Sequence, residues 1–461
     1  MKNHSKNGSI LVGMLWCMAL LSVVVVGTMY ASRIDLTVTK NHGDRIQAYY
    51  LALAGAEKAK ALLYEDAQDR MQRGVHYTGA LFDAPESFKD IAYSRGAFRV
   101  GHGGGQNATA TWTFGIRDEE ARLDINTASK EELAKLPGSS ETIAAAIIDF
   151  RDDDDQMTPG GAESETYAAL TPSYLPRNGP FRSVDELKMV YGMTPGVLVG
   201  EDTNRNMTLD PEENDGEISE PMDNKDDRLD LGWSEWVTVH AGMANTAASG
   251  DDRISIQEAE ETDLTEIPGM STDLAKSIVN YRKDNEFQTI ANLLDVVEVN
   301  DDEDDPNPGN SNNSNRGNQN RNRGGNRSGS DNKLISTSEF ISMSDYVTVK
   351  ADSSSPGRVN INTASQQVLS CLPGMTRELA QSIVNYRSSS GYFESVGSVL
   401  NVPDMTSEIF KQLCPRIGVR SDTFRILSEG RVTSSGARKQ IELIVRVDAN
   451  EINTLGYREY P

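Results

Sequence analysis

The chain has 461 residues, a formal net charge of −24 and three cysteines. This length predicts two to four domains. The strong negative charge argues against a nucleic-acid-binding protein, because affinity for phosphate comes mainly from Lys and Arg, and it suits an extracytoplasmic head that binds divalent cations. No nucleophile–base pair, Gly-rich phosphate loop or His cluster is recognisable in the sequence, so we expect no enzymatic activity.

An uncharged, apolar segment at residues 8–32 is the first predicted element. As a helix it spans about 37 Å, enough to cross a hydrocarbon core of roughly 30 Å, and it is too long for a secretory signal peptide. A plain single-span anchor is one interpretation. The sequence that ends in Gly8 favours another, a prepilin-type leader at residues 1–8 that is cut between Gly8 and Ser9 on the cytoplasmic side.

The helical pattern continues beyond the apolar segment, with apolar residues at mixed spacings of three and four. One helix over residues 9–65 is about 85 Å long, with residues 9–32 in the membrane and residues 33–65 in the periplasm. This combination is typical of pilins. Pilins usually have Glu at the fifth position after the cut, where this chain has Gly13. An unpaired carboxylate is costly in lipid, and a subunit with no neighbour above it does not need one.

Strand patterns bracket a long helical middle region. In residues 66–117, alternating segments at 97–100 and 109–116 flank a Gly-rich turn and predict a hairpin. Residues 421–461 contain the next strand patterns, at 424–427, 441–447 and 455–457. The sequence therefore predicts an α+β, pilin-like fold, with the long helix packed on one antiparallel sheet and a large all-α domain of helix-hairpin-helix-like repeats inserted at residues 118–420.

The inserted region contains an internal repeat, with segments 122–151, 253–282 and 358–387 aligned without gaps. Each copy reads as a helix, a Pro-Gly turn and a second helix, because Pro stops the first helix and Gly accepts the left-handed geometry. The turns are Pro137-Gly138, Pro268-Gly269 and Pro373-Gly374. A weaker unit follows each copy, starting at Phe181, Phe287 and Phe393.

Helix-hairpin-helix units often bind the DNA backbone, which requires exposed hairpin amides, commonly Gly-x-Gly, and basic neighbours. The second Gly is missing from all three hairpins, and Glu141 and Asp273 would repel a phosphate. A structural or protein-contact role is therefore favoured, and we expect no nucleic-acid partner. A DNA-uptake, pilin-like protein is the alternative.

An acidic, Asn-rich stretch at residues 202–213 has the ligand spacing of an EF-type calcium loop, except that Met207 replaces the usual Gly. The predicted ligands are Asp202, Asn204, Asn206, Thr208 through its carbonyl, Asp210 and Glu213. A weaker copy offers Asn224, Asp226 and Asp230. The alternative is a solvated acidic loop. For the Asp run at 152–155 we expect a solvated helix end, with a ligand set as the alternative.

Residues 301–333 are of low complexity and almost without apolar residues, so we expect a disordered loop there. Cys371 and Cys414 could form a disulfide in an oxidising periplasm. Each also lies on an apolar helical face, so two free buried thiols are the alternative.

The order of these features resembles the K-type minor pseudopilins of type II secretion systems, the general secretion pathway protein K family. The features are the leader, the long helix ending in Ala54-Gly55-Ala56-Glu57, the split sheet, and the insert with its Asn360-Ile361-Asn362-Thr363-Ala364 segment. The resemblance covers nearly the whole chain. It implies a single-pass inner-membrane protein with a cytoplasmic N-terminus and a periplasmic head, processed by prepilin peptidase.

The resemblance further implies a place at the tip of a short pilus-like fibre, with the I-type and J-type minor pseudopilins and other pseudopilins as partners. There the protein would help to initiate and cap the fibre for protein export. Calcium bound in the inserted domain is also implied.

Overall fold

The computed structural model describes residues 7–104, 111–205, 209–219, 223–297, 334–351, 354–448 and 451–460. Most of the predicted leader and the loop predicted to be disordered lie outside these residues. The α+β, pilin-like class is confirmed, because a long N-terminal helix packs on an antiparallel sheet and a helical region is inserted into that sheet.

The stem helix, Asn7–Arg73, is unbroken over 67 residues. Its first half, residues 10–43, is exposed on every side, although most side chains up to residue 34 are apolar. Beyond this half, a stripe of small residues is fully buried: Ala48, Ala52, Ala56 and Ala59. The helix runs eight residues past the predicted end and stops before Gly74, which adopts the left-handed φ of +64° that commonly ends helices.

The main sheet has six antiparallel strands and packs against the buried stripe of the stem helix. Its strands are, in spatial order, Ile91–Tyr93, Gly96–Val100, Thr423–Val432, Arg438–Val447 and Ile452–Tyr460. The strand Arg117–Asp118 pairs with the start of Thr423–Val432, on the edge that Gly96–Val100 leaves free there. The short helix Pro85–Phe88 covers one end of this core. The closest approach is at Gly430, where an added side chain would lie 2.1 Å from the Ala48 carbonyl oxygen.

The predicted hairpin between residues 97–100 and 109–116 is wrong in its first strand. The strand Gly96–Val100 pairs with Thr423–Val432 instead, because Phe98 and Val100 are buried against the stem helix in that register. The hairpin that forms beyond it is shorter and joins His102–Gly104 to Thr111–Thr113.

The insert consists of three repeat units, here named unit 1 (residues 123–238), unit 2 (254–348) and unit 3 (359–418). Each unit begins and ends with a two-residue strand, and the two strands pair in parallel: Leu123–Asp124 with Val237–Thr238, Ile254–Ser255 with Val347–Thr348, and Val359–Asn360 with Ile417–Gly418. The segments that enter and leave unit 2, Gly242–Ala244 and Ser354–Pro356, also pair.

Between these strands the units are helical. Unit 1 contains α-helices Lys130–Ala134, Glu141–Arg151, Ser164–Ala168 and Pro195–Val199, and 3-10 helices Val184–Met189, Pro211–Glu213 and Trp233–Glu235. Unit 2 contains α-helices Glu261–Leu264, Thr272–Asp284 and Thr337–Met343, and the 3-10 helix Ile290–Asp295. Unit 3 contains α-helices Gln366–Cys371, Arg377–Ser390 and Ser407–Leu413, and 3-10 helices Val396–Asn401 and Cys414–Arg416.

The arginine that ends each sequence repeat fixes the second helix to the start of its unit. Arg151 donates to the carbonyl of Ile125, Arg282 to that of Ile256 at 3.3 Å, and Arg387 to that of Ile361 at 2.7 Å. The aromatic residue before each arginine stacks on, or tilts against, the Phe of the weaker unit, with ring centroids 5.0–5.3 Å apart. The constant length of the three sequence repeats therefore reflects the same contact in each unit.

A buried charged junction joins the insert to the main sheet. Glu119, fully buried, accepts two hydrogen bonds from Arg425 at 2.8 Å and one from Thr238 at 2.8 Å. Burial alone would raise the pKa of Glu119, but Arg122 and Arg425 outweigh it and hold the pKa far below its ordinary value. Because its partners come from the sheet and from unit 1, this carboxylate fixes one to the other.

Candidate functional site

The predicted cleavage site lies at the start of the stem helix, which is described from Asn7. Gly13 lies on the exposed surface of this helix, and a side chain added there would meet nothing within 4 Å. By length and composition, the stem helix is the one helix in the described chain that could cross a membrane.

The three Pro-Gly turns have the predicted backbone geometry, with φ of +69° at Gly138, +86° at Gly269 and +70° at Gly374. Each turn is covered by a later helix of its own unit. A side chain added at these glycines would lie 3.4 Å from Val197, 3.0 Å from Ser342 and 3.1 Å from Gln412, respectively.

In unit 1 the turn is held further, because the indole of Trp233 donates to the Pro137 carbonyl at 2.8 Å. A hairpin that binds a phosphate must leave its backbone open to the ligand. The turns of all three units are instead used in packing, which fits the structural role that the sequence favoured.

Of the six residues predicted to form the calcium loop at 202–213, Asn204, Asp210 and Glu213 are linked by hydrogen bonds, whereas Asn206 and Thr208 lie outside the described residues. Asn204 donates to Asp210 at 2.8 Å. Glu213, which is buried, accepts hydrogen bonds from Thr203 and from the Asp210 amide, so its carboxylate already has backbone and hydroxyl donors. Asp202 is also buried.

The weaker copy has the same local geometry. Asn224 donates to Asp230 at 3.0 Å, as Asn204 does to Asp210. The backbone amide of Asp226 donates to Asn224 Oδ1 at 3.0 Å and closes the turn. The residues after the two asparagines, Arg205 and Lys225, both adopt a left-handed φ, of +58° and +53°. The two acidic segments are therefore copies of one turn.

A different carboxylate cluster is gathered in unit 1, from residues that the sequence analysis did not combine. One oxygen each from Asp149, Asp152 and Glu163 lies within 4.8 Å of the other two. Asp149 is positioned by the amides of Thr158 and Ala162, at 3.0 and 2.8 Å. A solvated helix end is the favoured prediction for 152–155, yet Asp152 is half-buried and belongs to this cluster.

Glu163 is the unusual member of this carboxylate cluster. Its side chain is 6% exposed, and neither carboxylate oxygen has a hydrogen-bond partner within the described part of the chain. Burial, followed by the charges of Asp149 and Asp152, raises the pKa of Glu163 to about 7. The backbone approaches closely as well, because a side chain at Gly161 would lie 2.0 Å from Asp149 Oδ2. A buried carboxylate without a donor, beside two others, is an arrangement that a hard cation stabilises.

The disulfide suggested for Cys371 and Cys414 is wrong, and the alternative of two free buried thiols is what the structure contains. The Cys371 thiol donates to the Gln367 carbonyl of its own helix at 3.2 Å. Cys414 lies at the end of unit 3, beside Arg358. Burial raises the pKa of both thiols, to about 12 for Cys371.

Comparison with known families gives two matches. Residues 126–199 match the family model described as type II secretion system (T2SS), protein K. Residues 250–303 and 354–417 match the helix-hairpin-helix motif, so the match covers the first part of unit 2 and most of unit 3.

Among individual proteins, type II secretion system protein K of Klebsiella pneumoniae is 30% identical over 205 residues, covering 41% of this chain and 59% of that protein. The protein of the same name from Pectobacterium carotovorum is 26% identical over 210 residues, covering 42% and 60%. This chain thus spans about three-fifths of the length of these relatives.

Two further similarities have lower identity or coverage. An endonuclease/exonuclease/phosphatase family domain-containing protein 1 from Xenopus laevis is 26% identical over 170 residues, covering 37% of this chain and 28% of that protein. The solved GspK-GspI-GspJ complex from enterotoxigenic Escherichia coli contains a chain that is 13% identical, with a TM-score of 0.41 and coverage of 94% and 99%.

Proposed function

We propose that this chain belongs to the type II secretion system protein K family and is a minor pseudopilin held in the inner membrane by its stem helix. The observation that carries the proposal is the division of one helix into two halves. The first half exposes apolar side chains on every side, as expected for contact with lipid and neighbouring helices, and the second half forms the core of the head. The N-terminus is cytoplasmic in this proposal, and the head is periplasmic.

Processing by prepilin peptidase between Gly8 and Ser9 leaves the stem helix as the N-terminus of the mature chain. In this position Gly13 places no carboxylate in the bilayer, so the helix needs no partner amine from a subunit above it. The intact mass of the membrane-extracted chain tests this step, and a mass that includes residues 1–8 would contradict it.

The place of the insert supports a tip position. Unit 2 and unit 3 sit at the end of the stem helix that is remote from its apolar half. His76 bonds to Asp345 of unit 2, Tyr77 packs edge-on against Tyr392 of unit 3 at 4.7 Å, and Met71 lies beside Gly250. A subunit added above would need the space that these units occupy. The insert therefore caps the fibre by steric exclusion.

The partners in this proposal are the I-type and J-type minor pseudopilins, which associate laterally with the stem helix and head. Co-expression of the full-length chain with both, followed by extraction in a mild detergent, should yield a 1:1:1 complex. Substitution of three exposed apolar residues of the stem helix by Ser (Leu20, Val24 and Leu36) should weaken the complex. Recovery of the chain alone, with its head folded, would contradict the proposal.

We also propose that calcium binds in the insert, at Asp149, Asp152 and Glu163. The donors fit Ca2+, which prefers carboxylate and carbonyl oxygens, and Glu163 lacks any other partner in the described chain. Bound calcium would neutralise three clustered carboxylates and fix the loop after the second helix of unit 1. The loop at 202–213 is the second candidate, although Glu213 already accepts three hydrogen bonds.

Melting of the full-length chain in detergent, with calcium or with chelator, distinguishes these two sites. Saturating calcium, at about 100 times Kd, stabilises by roughly 2.7 kcal/mol. Glu163→Gln should remove this gain and Glu165→Gln, an exposed neighbour, should keep it. Loss of the gain in Glu213→Gln alone would assign the cation to the loop. A wild-type melting temperature indifferent to calcium would contradict both assignments.

Nucleic-acid binding is the second candidate function, and the match of residues 250–303 and 354–417 to the helix-hairpin-helix motif is what favours it. The net charge of −24 and the covered hairpins argue against it. Binding of duplex DNA by the full-length chain, weakening steeply as salt increases, would support this function over a purely structural one.

A further inference from the structure

The arginine that precedes each repeat unit has a counter-ion in units 1 and 2. Arg122 lies 3.8 Å from Glu235, and Arg253 lies 3.0 Å from Asp345. Both acids occupy the same place in the repeat, two residues before the closing strand of their unit, which starts at Val237 in unit 1 and at Val347 in unit 2. The ion pair is therefore a repeated feature of the fold.

Unit 3 keeps the arginine but not the acid. The equivalent arginine is Arg358, and the position two residues before the closing strand at Ile417 is Pro415. Arg358 is half-buried and makes no hydrogen bond or ion pair with any residue in the described ranges. A guanidinium has five donors and remains charged, so burial without partners is unfavourable, and burial indeed lowers the pKa of Arg358.

Within the described ranges, no neighbouring group supplies the missing negative charge. The Cys414 thiol lies beside Arg358, but burial raises its pKa, so the thiol is neutral at physiological pH. Arg253, which faces the same space, is already paired with Asp345. Lys350 adds a third positive charge.

These groups line a cavity of about 270 Å3 between units 2 and 3. Its polar lining includes Arg358, Arg253, Lys350, Thr289 and Thr348, and the described residues that line it include no Asp or Glu. In a chain with a net charge of −24, three cations around one cavity, with no acid among its described lining residues, are a specific feature. The volume exceeds that of several water molecules, at about 30 Å3 each.

We propose that this cavity binds a small oxyanion, a phosphate or a carboxylate, which serves Arg358 as the counter-ion that Glu235 and Asp345 provide in the other units. The planar guanidinium donates in parallel to two oxygens of such an anion, and the Thr289 and Thr348 hydroxyls lie within the same cavity. The site is independent of the proposed role in secretion, since it depends only on the comparison of the three units.

Thermal melting of the full-length chain in a non-ionic detergent tests the site, with inorganic phosphate or acetate exchanged for chloride at constant ionic strength. Phosphate, acetate or both should raise Tm by several degrees in a saturable manner, and chloride should not. Arg358→Gln should abolish the rise without lowering Tm in chloride, because it removes an unpaired charge. Arg438→Gln, an exposed arginine on the main sheet, should respond as the wild type does.

Pro415→Asp restores the acid of the other units and gives an opposite test. This variant should melt at a higher temperature in chloride and no longer respond to phosphate or acetate. Line broadening of phosphate in 31P NMR provides a second measurement that needs no unfolding, and Arg358→Gln should remove it. An equal response in the wild type and Arg358→Gln, or none in the wild type to either anion by melting and NMR, would overturn the proposal.

Discussion

The head, by which we mean here the second half of the stem helix with the main sheet, and the insert differ in how far apart in the chain their contacting residues lie. The core of the head depends on residues far apart in the chain, because Gly96–Val100 pairs with the end of a strand more than 300 residues later. Each unit of the insert closes on itself through two-residue strands and a recurring arginine. We therefore expect the head to form more slowly than the units, because its strand pairing closes a loop of more than 300 residues.

The largest effect is expected where the two regions meet. Glu119→Gln removes the buried charge that Arg122 and Arg425 share, and leaving buried arginines uncompensated costs about 3–5 kcal/mol. Urea unfolding of the full-length chain in detergent measures the loss. Glu459→Gln, which removes an exposed charge from an edge strand, is the control and should change stability by less than about 0.5 kcal/mol. Equal effects of both substitutions would show that the junction does not couple the regions.

A smaller effect, confined to the head, is expected at the helix–sheet contact. Gly430→Ala forces a methyl group to within 2.1 Å of the Ala48 carbonyl oxygen, and overpacking of this kind typically costs 1–3 kcal/mol. Gly456→Ala, on a strand of the same sheet, meets nothing closer than 3.5 Å and is the matched control. Limited proteolysis should detect faster cleavage of the head in Gly430→Ala, with units 1–3 still protected. Simultaneous loss of protection in the units would contradict their independence.

The smallest effect is a pH dependence at the contact between unit 2 and the segment that follows the stem helix. Burial lowers the pKa of His76, against the opposing effect of the hydrogen bond that the ring donates to Asp345, and Arg253 and Arg420 also face the ring. The unfolded chain therefore takes up a proton near pH 6.5, before the folded chain does. Stability from His76 is present above pH 6.5 and is lost as pH falls through the folded-state pKa. Melting between pH 8 and pH 5 should be less pH-dependent in His76→Gln than in His42→Gln, which changes an exposed histidine.

Much of the architecture could be predicted because its signals are local. The first helix of unit 1 begins with a capping box of Ser129 and Glu132, which is a local sequence signal, and the Pro-Gly turns have the expected left-handed glycines. The closing strands of the units could not be predicted, since two residues such as Val347–Thr348 carry no periodicity. Pairing of the strand at 96–100 was missed because the partner lies at the other end of the chain.

The carboxylate cluster escaped prediction for a related reason. Asp149 lies on the buried face of a helix and Glu163 follows a loop, so no single spacing connects them. A solvated helix end was the favoured prediction for the Asp run at 152–155, because a sequence does not show which of four consecutive Asp side chains is directed inward. One sequence feature did point to the cluster, namely the Gly160-Gly161 pair before Glu163. Gly161 has no side chain, so its backbone can lie close to the Asp149 carboxylate.

The parallel closing strands place the first and last residues of each unit side by side, so the chain leaves a unit where it entered. Gly242–Ala244 and Ser354–Pro356 do the same for the connections of unit 2. A module with adjoining ends can be duplicated or deleted without altering the path of the chain on either side. The insert can thus gain or lose a unit over evolution while the stem helix and the main sheet keep their structure.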